Sequence, residues 1–434
     1  MTENKINILD SVMGSGKTQS IINYINTSDT PIIIIVERQT EVERLSAACP
    51  RLEALSDVSV KENINRREAL ELKTNRGESF ISTHQLFKHW SDRFLSSVSD
   101  WGYELIMDET LSGILSSVNI KSKDLKKYLD DQYIQVCVGN KLNKVKLIRS
   151  LHTKYDDVED CINRKDCYLF NMSQDTEDPC YKLIQAPRAE MFNVFNKIKV
   201  LTYQFEGSLL RCYFDLHKIK YEMMTIEDGS IASYTDNFGL AFKNKVKIYN
   251  GKLNHTHGKD IGSYCWTQKH INREAMKKRL RNIFNYWKKK EITPDTFLYT
   301  IHKEYQAKIH PSQITGLRNG LNNDYADTGK RQEMTEGEKR MVSFLAQTVR
   351  GTNEFSHKKF MAFMSNTYME PQIKNFLQHH DISINEESYA LNRMIQWLWR
   401  GCIRNNQEMH VFVPSKRMRH LLLKWLGYNE DEFF

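Results

Sequence analysis

The sequence predicts an α/β protein with two lobes, each built on a parallel β-sheet, and with a mainly helical insertion in the first lobe. Short apolar runs alternate with helical segments over residues 1–110, which is typical of parallel sheets covered by helices. A second alternation begins at residue 297 and continues to residue 413. Residues 115–190 are more polar, and we interpret them as helices added to the first lobe.

The individual elements follow from apolar runs of strand length and from apolar residues at helical spacing. Six strands are predicted in the N-terminal half, at residues 6–9, 32–36, 80–83, 103–107, 199–203 and 219–225. Three more are predicted near the C-terminus, at residues 297–301, 360–364 and 411–413. The predicted domains are therefore a first lobe at 1–215, a connecting segment at 216–270 and a second lobe at 271–434.

Composition places the chain among ordinary globular proteins of two or three domains. Of its 434 residues, 40% are apolar and 27% are charged. The formal net charge of +8 mildly favours an acidic partner such as nucleic acid. No apolar run is long enough to span a bilayer and the N-terminus lacks a signal-peptide pattern, so we expect a cytoplasmic protein without a membrane partner.

The eight cysteines are scattered along the chain, and in a reducing compartment we interpret them as free thiols. Cys161, Cys167 and Cys180 share a polar region with His152, which leaves a zinc site as an alternative. The sequence contains no Cys-x-x-Cys pair to support that alternative.

Residues 11–18 read Ser-Val-Met-Gly-Ser-Gly-Lys-Thr between a predicted strand and a predicted helix, the order that a phosphate-binding loop requires. Gly14 and Gly16 allow a turn whose N–H groups point at an anion, and the helix N-terminus adds a partial positive charge. Lys17 would reach the terminal phosphates of a nucleotide, and Thr18 would bind Mg²⁺. The predicted nucleotide-binding residues are Ser11, which replaces the usual glycine, Met13, Gly14, Ser15, Gly16, Lys17 and Thr18.

Two acidic residues, Asp108 and Glu109, follow the strand predicted at residues 103–107. In a parallel nucleotide-binding sheet this strand end lies beside the phosphate loop. Asp108 would hold Mg²⁺ through water, and Glu109 would orient or deprotonate the water that attacks the γ-phosphate. The alternative is an ordinary acidic surface turn.

With these two motifs the chain resembles the superfamily 2 helicases, the DEAD-like group of P-loop NTPases. Residues 11–18 are similar to the first motif of the family, and Asp108-Glu109-Thr110 is similar to the second. The resemblance implies two RecA-like lobes, ATP and Mg²⁺ as cofactors, and ATP hydrolysis at the interface of the lobes. Residues 361–426 also resemble phage-encoded helicase-like proteins, which implies a role in phage replication in the host cytoplasm.

Three further segments resemble the motifs with which this family contacts nucleic acid. They supply the candidate contacts Arg38, Gln39, Thr83, His84, Gly351 and Thr352. The resemblance favours DNA as the partner and leaves RNA open.

Residues 396–404 are similar to the sixth motif of the family, in which an arginine of the second lobe reaches the γ-phosphate. Gln396 and Arg400 keep the spacing of that motif, whereas Arg404 lies one position late. A guanidinium suits this role because it keeps its charge and donates several hydrogen bonds. The alternative is a basic amphipathic helix. The predicted catalytic residues are Lys17, Asp108, Glu109, Gln396, Arg400 and Arg404.

We therefore predict an ATP-dependent helicase or translocase acting on nucleic acid. The alternative is a non-translocating ATP-binding switch or loader that acts on a replication or recombination partner protein. A packaging motor is less favoured because we find no acidic cluster for nuclease chemistry near the C-terminus. A small-molecule kinase does not need arginines on a separate lobe.

Overall fold

The computed structural model describes residues 6–87, 90–111, 113–118, 120–138, 142–150, 158–159, 162–163, 166–173, 180–227, 229–235, 238–254, 261–262, 273–302, 342–347 and 354–432. The chain divides into two compact units. The first unit comprises Met1–Tyr234 together with Met369–Asn385, and the second comprises Thr235–Tyr368 together with Glu386–Phe434. A short C-terminal segment of the chain therefore belongs to the N-terminal unit.

The elements are numbered here in chain order. The strands are β1 (Ile6–Asp10), β2 (Ile32–Val36), β3 (Glu53–Ala54), β4 (Phe80–Thr83), β5 (Glu104–Asp108), β6 (Ser116–Ser117), β7 (Ile134–Val138), β8 (Asn143–Leu147), β9 (Asp166–Asn171), β10 (Tyr181–Ala186), β11 (Lys197–Thr202), β12 (Tyr221–Glu227), β13 (Ser230–Ser233), β14 (Val246–Ile248), β15 (Phe297–Thr300), β16 (Phe360–Phe363) and β17 (Met409–Phe412). The helices are α1 (Lys17–Thr27), α2 (Gln39–Ala48), α3 (Leu55–Lys61), α4 (Arg66–Asn75), α5 (His84–Phe87), α6 (Asp92–Trp101), α7 (Ser122–Asp130), α8 (Glu190–Asn193), α9 (Leu209–Leu216), α10 (Arg273–Trp287), α11 (Pro371–His379), α12 (Glu386–Leu398) and α13 (Lys416–Trp425).

The first unit is built on an eight-stranded sheet in the order β13-β12-β1-β11-β5-β2-β4-β3. All of its strand pairs are parallel except the β12–β13 hairpin. Every residue of β1 and β2 is buried, as expected of parallel strands covered on both faces. Because the strands are parallel, the carboxyl ends of β1, β2, β4, β5 and β11 meet at one edge of the sheet.

The insertion in the first unit differs from the prediction of a mainly helical segment at residues 115–190. Its described residues form a five-stranded antiparallel sheet, β6-β10-β9-β8-β7, with α7 beside it. In β8, Val145 is buried whereas its neighbour Lys146 is exposed. The prediction of a mainly helical insertion is therefore wrong, because polar residues such as those of β8 also occur in strands with one exposed face.

Helix α11 packs against this inserted sheet, although it lies far away in the sequence. The Phe376 ring stacks on that of Tyr168 with 5.9 Å between centroids, and it meets Phe170 edge-on. At the start of the segment Met369–Asn385, which contains α11, the Glu370 carboxylate accepts a hydrogen bond from the Ser117 hydroxyl at 2.5 Å. At its end, the Arg211 guanidinium donates to the Ser383 carbonyl oxygen.

The second unit contains a four-stranded parallel sheet in the order β14-β17-β16-β15. Strand β14 lies within the segment predicted to connect the lobes, whereas β12 and β13 of that segment belong to the first sheet. An α/β fold with two parallel sheets is therefore confirmed. No helix within the described ranges is long and apolar enough to cross a bilayer.

Arg417 of α13 binds the two points where the chain leaves and re-enters the second unit. Its guanidinium donates to the carbonyl oxygens of Thr367 at 2.9 Å and Glu386 at 3.3 Å. It also lies 4.7 Å from the centroid of the Tyr368 ring. The guanidinium of Arg419 donates to the Val413 carbonyl oxygen. Both arginines thus stabilise the fold of this unit.

Candidate nucleotide-binding site

The loop between β1 and α1 has the backbone geometry that anion binding requires. Gly14 and Gly16 have φ angles of 89° and 88°, a region that side chains with a Cβ rarely adopt. Gly16 is the N-cap residue of α1, and none of the described side chains caps that helix. Its first turn also contains no acidic residue. The first N–H groups of α1 therefore remain available to a negatively charged ligand.

The side chain of Lys17 forms hydrogen bonds with the backbone of this loop. Its Nζ donates to the carbonyl oxygens of Ser11 and Val12, the latter at 3.1 Å. The Ser15 N–H also donates to the Val12 carbonyl oxygen at 3.2 Å. The ammonium group therefore lies against the loop that precedes the N-terminus of α1.

Two residues at the end of β1 bind the neighbouring strands. The buried Asp10 carboxylate accepts the N–H groups of Gln204 at 2.7 Å and Phe205 at 2.9 Å, just beyond β11. On the other side, the Ser11 hydroxyl accepts the Ile226 N–H at 2.7 Å and lies 2.9 Å from the Thr225 hydroxyl. The base of the loop is thus held by both strands that flank β1.

Asp108 and Glu109 lie at the same edge of the sheet, with β11 between their strand and β1. Asp108 is the last residue of β5, and Glu109 has a φ angle of 74°, which is unfavourable for a side chain of its size. The Glu109 N–H donates to the Leu201 carbonyl oxygen at 2.9 Å. Such backbone strain is often found at functional sites.

The pKa of Asp108 depends on charged residues at the start of α1 and in α2. Burial, followed by the nearby carboxylates of Glu109 and Glu41, raises the pKa of Asp108 to about 7. The cations Lys17 and Arg44 act in the opposite direction. Arg44 also pairs with Glu41 at 2.7 Å. A cation such as Mg²⁺ at this carboxylate would relieve the repulsion.

The oxygen atoms at this edge fit a magnesium nucleotide. Thr18 supplies a hydroxyl and Asp108 a carboxylate, and Mg²⁺ prefers oxygen ligands. The N–H groups of the loop and the Lys17 ammonium are donors of the kind that phosphate oxygens accept. In the part of the chain that the structure describes, no group of three or more His, Cys, Asp and Glu side chains forms a metal site. Cys161 and His152 of the zinc alternative lie outside the described residues.

Two of the predicted nucleic-acid contacts line one cleft of about 130 Å³. Gln39 begins α2 and Thr83 ends β4, and both side chains face this cleft. Its other polar lining residues are Ser56, Arg66, Ser82 and Gln85. Arg38, the N-cap residue of α2, is partly exposed, whereas His84 is buried.

In the second unit, the predicted catalytic residues follow one another around the end of α12. Gln396 lies in the helix and is buried, and Arg400 is buried two residues beyond the helix end. Arg404 is partly exposed in the 3₁₀ helix Cys402–Asn405. Gly401 lies between the arginines, where a Cβ would come within 2.8 Å of the Lys358 carbonyl oxygen. Gly351 and Thr352 lie outside the described residues.

The sequence did not reveal several residues at these sites. Glu41 and Arg44 have the spacing of an ordinary surface ion pair, and nothing in the sequence links them to Asp108. Thr225 lies 214 residues from Ser11, its hydroxyl partner. Only the apolar run predicted as a strand at 219–225 could have suggested that Thr225 joins the same sheet.

Comparison with known proteins gives one matching family model and one prophage relative. Residues 240–426 match the family model described as the YonV C-terminal Rossmann-like domain. The chain is 28% identical over 443 residues to the SPbeta prophage-derived uncharacterized protein YonV of Bacillus subtilis (strain 168), covering 97% of this chain and 98% of the relative.

Solved helicase structures align with almost the whole chain. The structure titled XPD_APO aligns with 99% of it at a TM-score of 0.51 and 11% identity, with 96% of that protein covered. The XPD_Helicase structure aligns at a TM-score of 0.50 and 11% identity, covering 98% of this chain and 96% of that protein. Xpd4 from S. tokodaii aligns at a TM-score of 0.50 and 10% identity, covering 99% of this chain and 95% of that protein. The chain has the fold of these helicase structures. Two RecA-like lobes, as predicted, are the architecture of this fold.

Proposed function

We propose that this protein is an ATP-dependent helicase or translocase that hydrolyses ATP and acts on nucleic acid. The observation that carries the proposal is the sheet edge of the first unit. There, a phosphate loop with its lysine lies one strand away from an Asp-Glu pair whose aspartate has a raised pKa.

Each residue of this edge has a proposed role. The N–H groups from Met13 to Thr18 bind the β- and γ-phosphates, and Lys17 neutralises their charge. Mg²⁺, held by Thr18 and by Asp108, would supply further charge neutralisation on the phosphates. Glu109 orients the attacking water and accepts its proton.

The second unit supplies the remaining charge. Arg400 or Arg404 would donate hydrogen bonds to the γ-phosphate as charge develops on it, and Gln396 would support this arrangement. Because Arg400 is buried and Arg404 is partly exposed, both arginines stay candidates. Replacing each by lysine would distinguish them, since lysine keeps the charge but loses the planar array of donors.

The cleft between α2 and β4 is the proposed site of the nucleic-acid backbone in the first unit. Its amide and hydroxyl donors, Gln39 and Thr83, and the guanidinium of Arg66 are suited to phosphate oxygens. Arg38 and His84 were predicted with them from the resemblance, and Gly351 and Thr352 are proposed contacts from the second unit. DNA is the favoured partner because the relative is prophage-derived, and RNA remains open.

The ATP site is tested by Lys17→Ala in a steady-state ATPase assay. Loss of the ammonium should lower the rate by about 100- to 1000-fold, because the lysine stabilises charge that develops on the γ-phosphate. Lys126→Ala, which removes an exposed lysine of α7, is the matched control and should keep the wild-type rate. Equal rates in the wild type and Lys17→Ala would refute the proposal.

A further inference from the structure

Ser11 opens the phosphate loop where the usual pattern has glycine, and its side chain is completely buried. The parallel pairing of β1 with β12 ends at Leu9 and Met224. Beyond that point, the Ser11 hydroxyl accepts the Ile226 N–H at 2.7 Å and thereby takes the place of the next ladder bond. Its other partner is the buried Thr225 hydroxyl at 2.9 Å. A glycine could make neither contact.

The main chain of Ser11 contacts the catalytic machinery on its other side. Its carbonyl oxygen accepts a hydrogen bond from Lys17 Nζ, as does that of Val12. Its N–H donates to the Thr202 carbonyl oxygen at 3.1 Å. Two hydrogen bonds through Ser11 therefore connect Thr225 of β12 with the Lys17 ammonium.

We propose that Ser11 and Thr225 are positioning residues for nucleotide binding, and this rests on the function proposed above. Their hydroxyl pair fixes the first residues of the loop against β12. It thereby fixes the carbonyl oxygens that direct the Lys17 ammonium. Without the pair, residues 11 and 12 can shift, and the loop must be reordered each time a triphosphate binds.

The test is the Kd of a non-hydrolysable ATP analogue with Mg²⁺, measured for Ser11→Ala, Thr225→Val and the double variant. Thr225→Val should raise the Kd about five- to tenfold, the size of one buried hydrogen bond. Ser11→Ala also loses the bond to the Ile226 N–H and should raise the Kd at least as much. The double variant should bind no more weakly than Ser11→Ala, because Ser11→Ala already removes the one contact that Thr225→Val breaks. Thr225→Ser keeps the hydroxyl and should bind within about twofold of the wild type.

Thr74→Val is the control for a purely structural effect. The Thr74 hydroxyl is equally buried and donates to the Leu70 carbonyl oxygen at 2.7 Å, within α4. This variant should lose thermal stability as the others do while keeping the wild-type Kd. An unchanged Kd in the Ser11 and Thr225 variants, or an equal rise in Thr74→Val, would overturn the inference alone. If the wild type binds no analogue, or if Lys17→Ala binds as well as the wild type, the proposed function fails with it.

Discussion

The carboxyl group of Asp108 ends a buried strand close to the Lys17 ammonium and to two other carboxylates. Burial and those carboxylates raise its pKa to about 7, well above the usual value for aspartate. The folded protein therefore binds a proton here over a pH range in which the unfolded chain does not. Stability is thus lost as the pH rises from about 4 to about 7, the interval between the two pKa values.

Asp108→Asn removes this cost, and its stability advantage over the wild type should grow with pH. In the nucleotide-free protein, the gain in the free energy of unfolding should increase by about 2 kcal/mol between about pH 5.5 and about pH 8.5. Denaturant unfolding of both proteins at the two pH values measures it. Asp57→Asn removes an exposed carboxylate of α3 and is the control. A gain that is the same at both pH values contradicts the raised pKa.

Single residues were predictable from the sequence where their role depends on local geometry. Gly16 and Lys17 could be identified because a glycine with positive φ and a helix start belong to one short motif. The role of Ser11 could not, because its hydroxyl partner is brought close only by the pairing of β1 with β12. Likewise, the raised pKa of Asp108 depends on Glu41, which a separate helix contributes.

At the scale of elements, α11 is a piece of the C-terminal half of the chain that completes the inserted sheet of the first unit. The fully buried ring of Phe376 lies against Tyr168 and Phe170, and polar contacts bind both ends of the segment. The sheet therefore packs against a helix that begins about 185 residues beyond its last strand.

Phe376→Ala should destabilise the inserted sheet by about 3–5 kcal/mol, because it leaves a cavity beneath β9 and β10. Hydrogen exchange of the amides in β9 and β10 measures the loss of protection. Gln378→Ala changes an exposed position of the same helix and should leave that protection unaltered. Unchanged exchange in Phe376→Ala would mean that α11 is not needed to stabilise the sheet.

Residues from several helices and strands line the cleft between α2 and β4, and Arg66 is the positively charged one among them. Arg66→Ala should weaken single-stranded DNA binding and reduce the salt dependence of the affinity by about one counter-ion. Arg67→Ala removes the next cation of α4, which does not line the cleft, and is the matched control. Equal salt slopes for the wild type and Arg66→Ala would exclude a phosphate contact by this residue.

Elements could be predicted wherever burial on both faces gave continuous apolar runs, as in β1 and β2. Strand β8 of the inserted sheet lacks such a run, because Lys144 and Lys146 flank its one buried residue, Val145. The position of α11 could not be predicted at all. Its apolar residues indicate that one face is buried, but they do not indicate which unit covers it.

At the scale of the whole molecule, the proposed chemistry needs residues from both units. Lys17, Asp108 and Glu109 come from the first unit, and Arg400 and Arg404 come from the second. The Ser11 and Thr225 pair joins the phosphate loop to β12. Strand β13 follows β12, and the chain then enters the second unit at Thr235. A translocase couples such a site to nucleic acid, whereas a switch needs no such coupling.

The measurement that tests this account most directly is the steady-state ATPase rate with saturating single-stranded DNA, duplex DNA, RNA or no nucleic acid. We predict a severalfold higher rate with at least one of these nucleic acids, abolished by Lys17→Ala and kept by Lys126→Ala. An equal rate under all four conditions would contradict the account and favour the non-translocating ATP switch.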